Sequence, residues 1–337
     1  MKKLTTILAI LLAFALLGCT GKSYYEPTQT FSASPATISY NGVISDLSRN
    51  GATLNNGRYI GRKGLSSIVL EKGYRFLDES RSYLLCANPS GILKIIDKKS
   101  QKTLRVVALE TPVVSASIRG GVVGYILNNN TFGIYKIKSN EKIVESRSEI
   151  SHAIDTRAAS PIFIDNLVVM PMLDGKLIIV SMSDTDNAKV IYISSRSVFN
   201  NVIYLSRMGN TMVSATPKKI ITLGSFGQSE YSANISEVVI SSGKIYIFTK
   251  EGEIISLTSQ LKEIDRSKFK FAHFAAGTAF GNRVFALDQK GSLIVSNSKL
   301  TKHRVYSLGD VEAPVYITGK RLFKDGKIIE LSKLGYE

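Results

Sequence analysis

Apolar residues along this chain come in paired short runs that meet at a turn. "YIFTKEGEIISL" (246–257) is one such pair, and the shape returns in "VVMPMLDGKLIIV" and "VFALDQKGSLIVS". Seven hairpins align: "YLLCANPSGILKII", "VGYILNNNTFGIYKI", "LVVMPMLDGKLIIV", "TMVSATPKKIITL", "YIFTKEGEIISL", "VFALDQKGSLIVS" and "RLFKDGKIIEL". Their turn positions are Gly91, Gly133, Gly175, Lys219, Gly252, Gly291 and Gly326, in steps of 42, 42, 44, 33, 39 and 35 residues. A repeat of about 40 residues is the length of a four-stranded propeller blade. Glycine at six of the seven turns fits strands joined by a few residues, a geometry that needs positive φ. The copy with Pro217-Lys218-Lys219 is expected to be irregular.

The hairpin strands, such as "LVVM", "KLIIV" and "KIYIF", are apolar almost without a break, so both of their faces must be covered. Neighbouring blades supply that cover. More polar stretches at 102–109, 188–195 and 303–309 fit outer fourth strands, while "PVVSASIRG", "SPIFIDN" and "APVYITG" fit inner first strands with Pro just ahead of the pairing region. The end "GKIIELSKLGYE" supplies a third strand with no fourth, so a segment between about residues 28 and 45 should complete the last blade. A weaker hairpin, "VISDLSRNGATL", places Gly51 40 residues before Gly91 and favours eight blades over seven. The expected fold is all-β: one propeller of seven or eight four-stranded antiparallel blades over residues 34–337, closed by an N-terminal strand.

Residues 1–18 read as a different kind of segment. Lys2 and Lys3 precede an apolar run from Leu4 to Leu17 that is short for a membrane span. Its end, "LLGC" at 16–19, resembles the lipobox of bacterial lipoproteins. That resemblance implies a cleaved signal peptide over 1–18, a diacylglycerol on Cys19, and a tether over 19–33. Thr20 after the cysteine implies delivery to the outer membrane, with the propeller on its periplasmic face.

Charge and chemistry narrow the function classes. The chain carries 43 Lys and Arg against 27 Asp and Glu, a formal net charge of +16. Such an excess speaks about partners rather than fold. An exported protein has little use for nucleic acid, which leaves anionic partners: an acidic protein surface, lipid headgroups or lipopolysaccharide phosphates. With Cys19 acylated, Cys86 has no disulfide partner, and its apolar setting "SYLLCA" predicts a buried, inert thiol.

His152, His273 and His303 are scattered without metal-ligand spacing. "SNEK" (139–142) and "SNSK" (296–299) match S-x-x-K without its companion motifs. "SDTDNA" (183–188) lacks the spacing of a calcium loop and reads as a solvated inter-strand loop. No catalytic, metal or cofactor residue is expected. Tyr125, Tyr135, Tyr192, Tyr204, Tyr246 and Tyr316 are either blade core or the lining of a central funnel for a glycan or small ligand, the alternative to a scaffold.

Units such as "RVFALDQKGSLIVSNSKLTKHRVYSLG" and "YLLCANPSGILKIIDKKSQKTLRVVAL" resemble pyrroloquinoline-quinone-type propeller repeats. Over residues 35–337 the chain is similar to the BamB family of lipoproteins in the outer-membrane β-barrel assembly machinery. The resemblance implies a non-enzymatic scaffold that docks by its edges or loops to an acidic envelope protein. Repeats of this type usually carry Trp in the outer strand, and this chain has none. Val106, Val107, Ile191 or Tyr306 is expected to fill the space. A quinone cofactor, which would call for Trp stacking and a vicinal disulfide, is not expected.

The lipobox gives the first prediction: fatty-acid labelling in cells marks the wild-type chain and not Cys19→Ala, whereas a labelled mutant would contradict acylation at that cysteine.

Overall fold

The computed structural model describes residues 23–32, 37–151, 154–195 and 198–337. The expected signal peptide over 1–18, Cys19 and His152 lie outside the described residues.

The repeat folds into eight antiparallel blades, numbered here in chain order: 44–69, 75–108, 113–147, 162–192, 204–232, 235–268, 274–307 and, for the eighth, 316–330 completed by Thr37–Ser39. Each blade runs in sequence from an inner strand beside the central axis to an outer one. The first-to-second and third-to-fourth strand turns therefore lie on one face of the disc. The second-to-third turns and the links between blades lie on the other. The only helical element among the described residues is a single turn at Leu331–Lys333.

The apolar core is divided among the blades. Eight buried clusters are present, each drawn from two neighbouring blades: Leu77, Leu85 and Ile95 with Val123 and Tyr125 between blades 2 and 3, for example, and Phe323 and Ile328 with Ile44, Leu54 and Ile60 between blades 8 and 1. This arrangement explains why the middle strands are apolar on both faces. The fourth strands, bounded by solvent on one edge, read polar, as in Glu141–Arg147 and Glu263–Lys268. The expected outer strands form at Thr103–Ala108, Asp184–Tyr192 and His303–Ser307, and the expected inner ones at Val113–Arg119, Ile162–Ile164 and Tyr316–Thr318.

Closure comes from the N-terminal side. Thr37–Ser39 pairs antiparallel with the last strand, with Ile38 opposite Ile328. A second pairing was not apparent in the sequence: Phe31–Ser32 adds to the outer edge of blade 7, parallel to Tyr306–Ser307. The preceding residues are also seated. Tyr25 packs edge-on against Phe269, Tyr24 lies over the Lys290 ammonium, and Arg304 lies over the Phe31 ring. The part of the tether from residue 23 onward is thus a strap against blades 6 and 7. At the other end, Arg283 donates to the Ser332 and Leu334 carbonyls and Tyr306 to that of Gly335, holding the C-terminal residues on blade 7.

The turns follow one rule, which corrects three readings. At Gly91, Gly175, Gly252, Gly291 and Gly326, φ is +72 to +84°. The turn carbonyl in each case accepts the N–H of the residue just beyond the outer strand, as Gly252 does from Phe269 at 2.8 Å. A Cβ on Gly252 would lie 2.2 Å from the Phe269 carbonyl oxygen.

Gly133 does not belong to this set. It lies within the strand Thr131–Lys136 opposite Tyr125, where a Cβ would meet that phenol ring at 2.2 Å. The positive φ of blade 3 falls instead on Asn130, at +64°. In blade 1 the equivalent position is Gly57 at +81°, and Gly51 opens the second strand. The count of eight blades stands, on a different glycine. Lys219 likewise begins a strand. The Pro217-Lys218 turn is held by the Thr216 hydroxyl, and blade 5 is regular on either side of it.

Two further expectations shift. The acidic stretch 183–188 enters the outer strand of blade 4 from Asp184 onward, so it is only in part a loop. Of the four residues expected in place of Trp, Val107, Ile191 and Tyr306 occupy equivalent positions opposite Leu93, Leu177 and Leu293. Val106 points outward and is 57% exposed.

The turn rule separates two glycines with similar φ. Gly73 sits at +84° with nothing near its Cβ position, whereas Gly252 has a carbonyl there. Gly73→Val should cost about 1–3 kcal/mol in backbone strain alone. Gly252→Val should cost more, because its turn must also open; denaturant unfolding of the two variants gives the order.

Candidate functional site

Inner strands surround a central cavity of about 790 Å³, rimmed by Asn88-Pro89, Pro112, Thr156 and Pro314 from the turns and links of one face. Three arginines line it, and each is satisfied within the protein. Arg49, at the end of the inner strand of blade 1, reaches Glu237 of blade 6 at 2.9 Å and lies 4.9 Å over the Tyr204 ring of blade 5. Burial works against its charge, but Glu237 outweighs that and holds the guanidinium above its usual range.

Arg75 pairs with Asp46 at 3.0 Å and donates to the Val113 and Val114 carbonyls. Arg157 pairs with Asp155 at 2.5 Å and donates to the Ser236 carbonyl. Asn201 fastens that loop by donating to the carbonyls of Asp155 and Arg157. Burial raises the Asp155 carboxyl, yet Arg157 overrides it and the group titrates below its ordinary range. The rest of the wall is largely apolar, including Val238, Val239 and Ala276. These groups tie blades together across the axis and present no nucleophile beside a base.

A second concave region lies on the face of the first-to-second and third-to-fourth turns, spanning blades 1 to 3. Its floor is built on two buried carboxylates at the end of the inner strand of blade 2. Asp78 accepts from the Arg62 guanidinium at 2.9 Å and the Ile118 N–H at 3.0 Å. Burial raises its pKa, and Arg62 offsets this only in part. Glu79 accepts from Lys98 Nζ at 2.5 Å, from the Tyr59 hydroxyl and from the Arg62 N–H. Gly61 makes room for it, since a Cβ there would lie 2.2 Å from Glu79 Oε1. A groove of about 910 Å³ above this floor is lined by Arg62, Arg81, Arg105, Arg119 and Lys138. Sequence reasoning missed it because its residues come from five separate turns and strands.

The tyrosines divide. Tyr125, Tyr135 and Tyr246 are buried in or between blades. Tyr125 donates to Glu145, and together with burial that bond pushes its phenol well above the ordinary range. Tyr192 is 60% exposed on an outer strand. Tyr204 lies under the Arg49 guanidinium, and Tyr316 lines the central cavity. Cys86 is buried between blades 1 and 2, and burial pushes its thiol up to about 12. His273 and His303 are exposed, the second edge-on to the Phe269 ring. Among the described residues, no three His, Cys, Asp or Glu side chains converge as metal ligands. "SNEK" and "SNSK" both fall at third-to-fourth strand turns, where Asn140 and Leu300 take positive φ, so the repeat itself accounts for the pattern.

With this geometry in view, the likenesses to known proteins are informative. No family model matches the sequence. The chain is 27% identical to plasminogen-binding protein PgbB of Helicobacter pylori, an alignment that takes in all of this chain and 70% of that protein. The fold is similar to the crystal structure of BamB from Moraxella catarrhalis, with a TM-score of 0.68 at 15% identity over 89% of this chain and 98% of that one. It is also similar to the C-terminal WD40 domain of Sif2, with a TM-score of 0.65 at 12% identity over 89% and 99%. The structural matches establish a propeller. They carry no function across.

The axial ion pair yields a prediction. Arg49→Ala and Glu237→Ala should each destabilise the ring, and the double variant should lose less than the sum. A coupling energy of about 1–2 kcal/mol is expected from a double-mutant cycle, because each single change strands a half-buried charge.

Proposed function

We propose that this chain is a non-enzymatic, lipid-anchored propeller of the bacterial outer membrane that acts as a scaffold for a protein partner. The observation that carries the reading is the condition of the axis: the arginines that line the cavity are paired internally, whereas cations without a carboxylate partner among the described residues, Arg81, Arg119 and Lys138 among them, stand on outward-facing turns. The lipobox at Cys19 supports the anchor. The likeness of the repeats to BamB supports a periplasmic setting beside the machinery that assembles outer-membrane β-barrels, and the basic balance of the chain supports an acidic partner surface.

A second reading concerns the side of the membrane. The 27% identity to plasminogen-binding protein PgbB extends over the whole chain. It supports an extracellular protein, plasminogen included, as the partner of a surface-exposed form.

Chemical crosslinking in intact envelopes, followed by capture of the full chain in detergent, should trap a discrete protein. Protease shaving of whole cells, together with plasminogen binding to them, then separates the two settings. Capture of glycan without protein would overturn the scaffold reading in favour of a ligand-binding propeller.

A further inference from the structure

The groove across blades 1 to 3 is lined by five cationic side chains and one acidic one, Glu79, which Lys98 already satisfies at 2.5 Å. Among the described residues, Arg62 is the one of the five with a carboxylate partner, Asp78. Arg105 and Arg119 spend hydrogen bonds on neutral carbonyls, those of Ile137 and Leu104 for the first and Phe163 for the second. These contacts fix the guanidinium groups in place and leave their charge uncompensated. Arg81 and Lys138 are exposed and form no ion pair among the described residues. Between the charges the walls are apolar, from Tyr83, Leu104, Ile118 and Ile137. At one edge Gly120 and Gly121 have open space where side chains would stand. A planar guanidinium fork held in position suits carboxylates, and the apolar walls suit the stem of an extended chain.

We propose that this groove binds an extended acidic segment of a protein partner, an inference that rests on the scaffold reading and names its docking surface. Anionic lipid is the competing occupant, and the strap argues against it. Residues 23–32 lie on blades 6 and 7, where Tyr24 meets Lys290 in a second-to-third turn. Four chain steps separate Ser23 from Cys19, a reach of at most about 14 Å. The groove is built from the turns of the opposite face, and its three blades stand two to four places around the ring from blade 7. A lipid on Cys19 therefore directs the blade 6–7 rim toward the bilayer and the groove away from it.

The test uses the full mature lipoprotein in non-ionic detergent and a short fluorescent poly-glutamate peptide. Anisotropy should report binding that weakens with added salt. The triple variant Arg81→Glu/Arg119→Glu/Lys138→Glu should weaken it by about tenfold or more. Lys250→Glu/Lys270→Glu/Lys327→Glu changes net charge equally on the opposite face and should leave binding intact.

Equal losses in both triple variants would overturn the proposal, since the peptide would then be reading net charge alone. So would a groove variant that keeps the peptide and loses only binding to phosphatidylglycerol vesicles, which would make the groove a membrane contact. The envelope crosslink separates the two levels of argument. A groove variant that no longer binds peptide yet still captures the same protein overturns the docking site and leaves the scaffold standing. A wild-type chain that binds peptide but crosslinks to no protein overturns the scaffold.

Discussion

The structure depends on apolar contact between neighbouring blades. A blade of this chain has no core of its own: residues such as Ile245 and Ile247 become buried only against blade 5, and Tyr246 and Phe248 only against blade 7. Each blade therefore needs two neighbours, and a row of blades can satisfy that need throughout only by closing on itself. Hydrophobic burial is non-directional and sets no limit on where the row stops. Closure does, by joining Thr37–Ser39 to the last strand and packing Phe323 against Ile60. The chain gives the eighth blade strands from both of its ends, so that neither end of the propeller is left as an open interface.

That dependence governs what the sequence could reveal. Turns, strand order and blade number follow from a repeated local pattern, and they were legible because every blade meets the same requirement. Gly133 shows the limit. Glycine answers two different needs, positive φ at a turn and room for a neighbouring ring, and only the second operates opposite Tyr125. Asn130 meets the first need in that blade, since asparagine tolerates the left-handed region better than most side chains. The strap at Phe31–Ser32 escaped notice for another reason. Two residues paired along an edge leave no periodicity to detect.

Polar groups inside the ring do a separate job. Apolar interfaces allow sliding and rotation at little cost, whereas buried ions tolerate only a narrow geometry. Asp78 meets Arg62 of blade 1 and the Ile118 N–H of blade 3, so one carboxylate fixes three blades relative to one another. Arg49 and Glu237 do the same between blades 1 and 6 across the axis. The pattern was invisible in the sequence, where these acids and bases lie 16 to 188 residues apart.

The division of charge follows from the same geometry. Near the axis the inner strands crowd together and desolvate whatever they carry, so an arginine there must find a carboxylate or a carbonyl, and Arg49, Arg75 and Arg157 each do. On the turns facing outward no such demand exists, because water solvates a lone cation at little cost. Arg81, Arg119 and Lys138 can keep their charge unmatched without destabilising the ring. An uncompensated charge held on rigid turns is also what a partner can read, since binding then need not break an internal ion pair. The positive excess of the chain is thus matched near the axis, where it would endanger the fold, and left unmatched on turns such as those of Arg81, Arg119 and Lys138, where water solvates it.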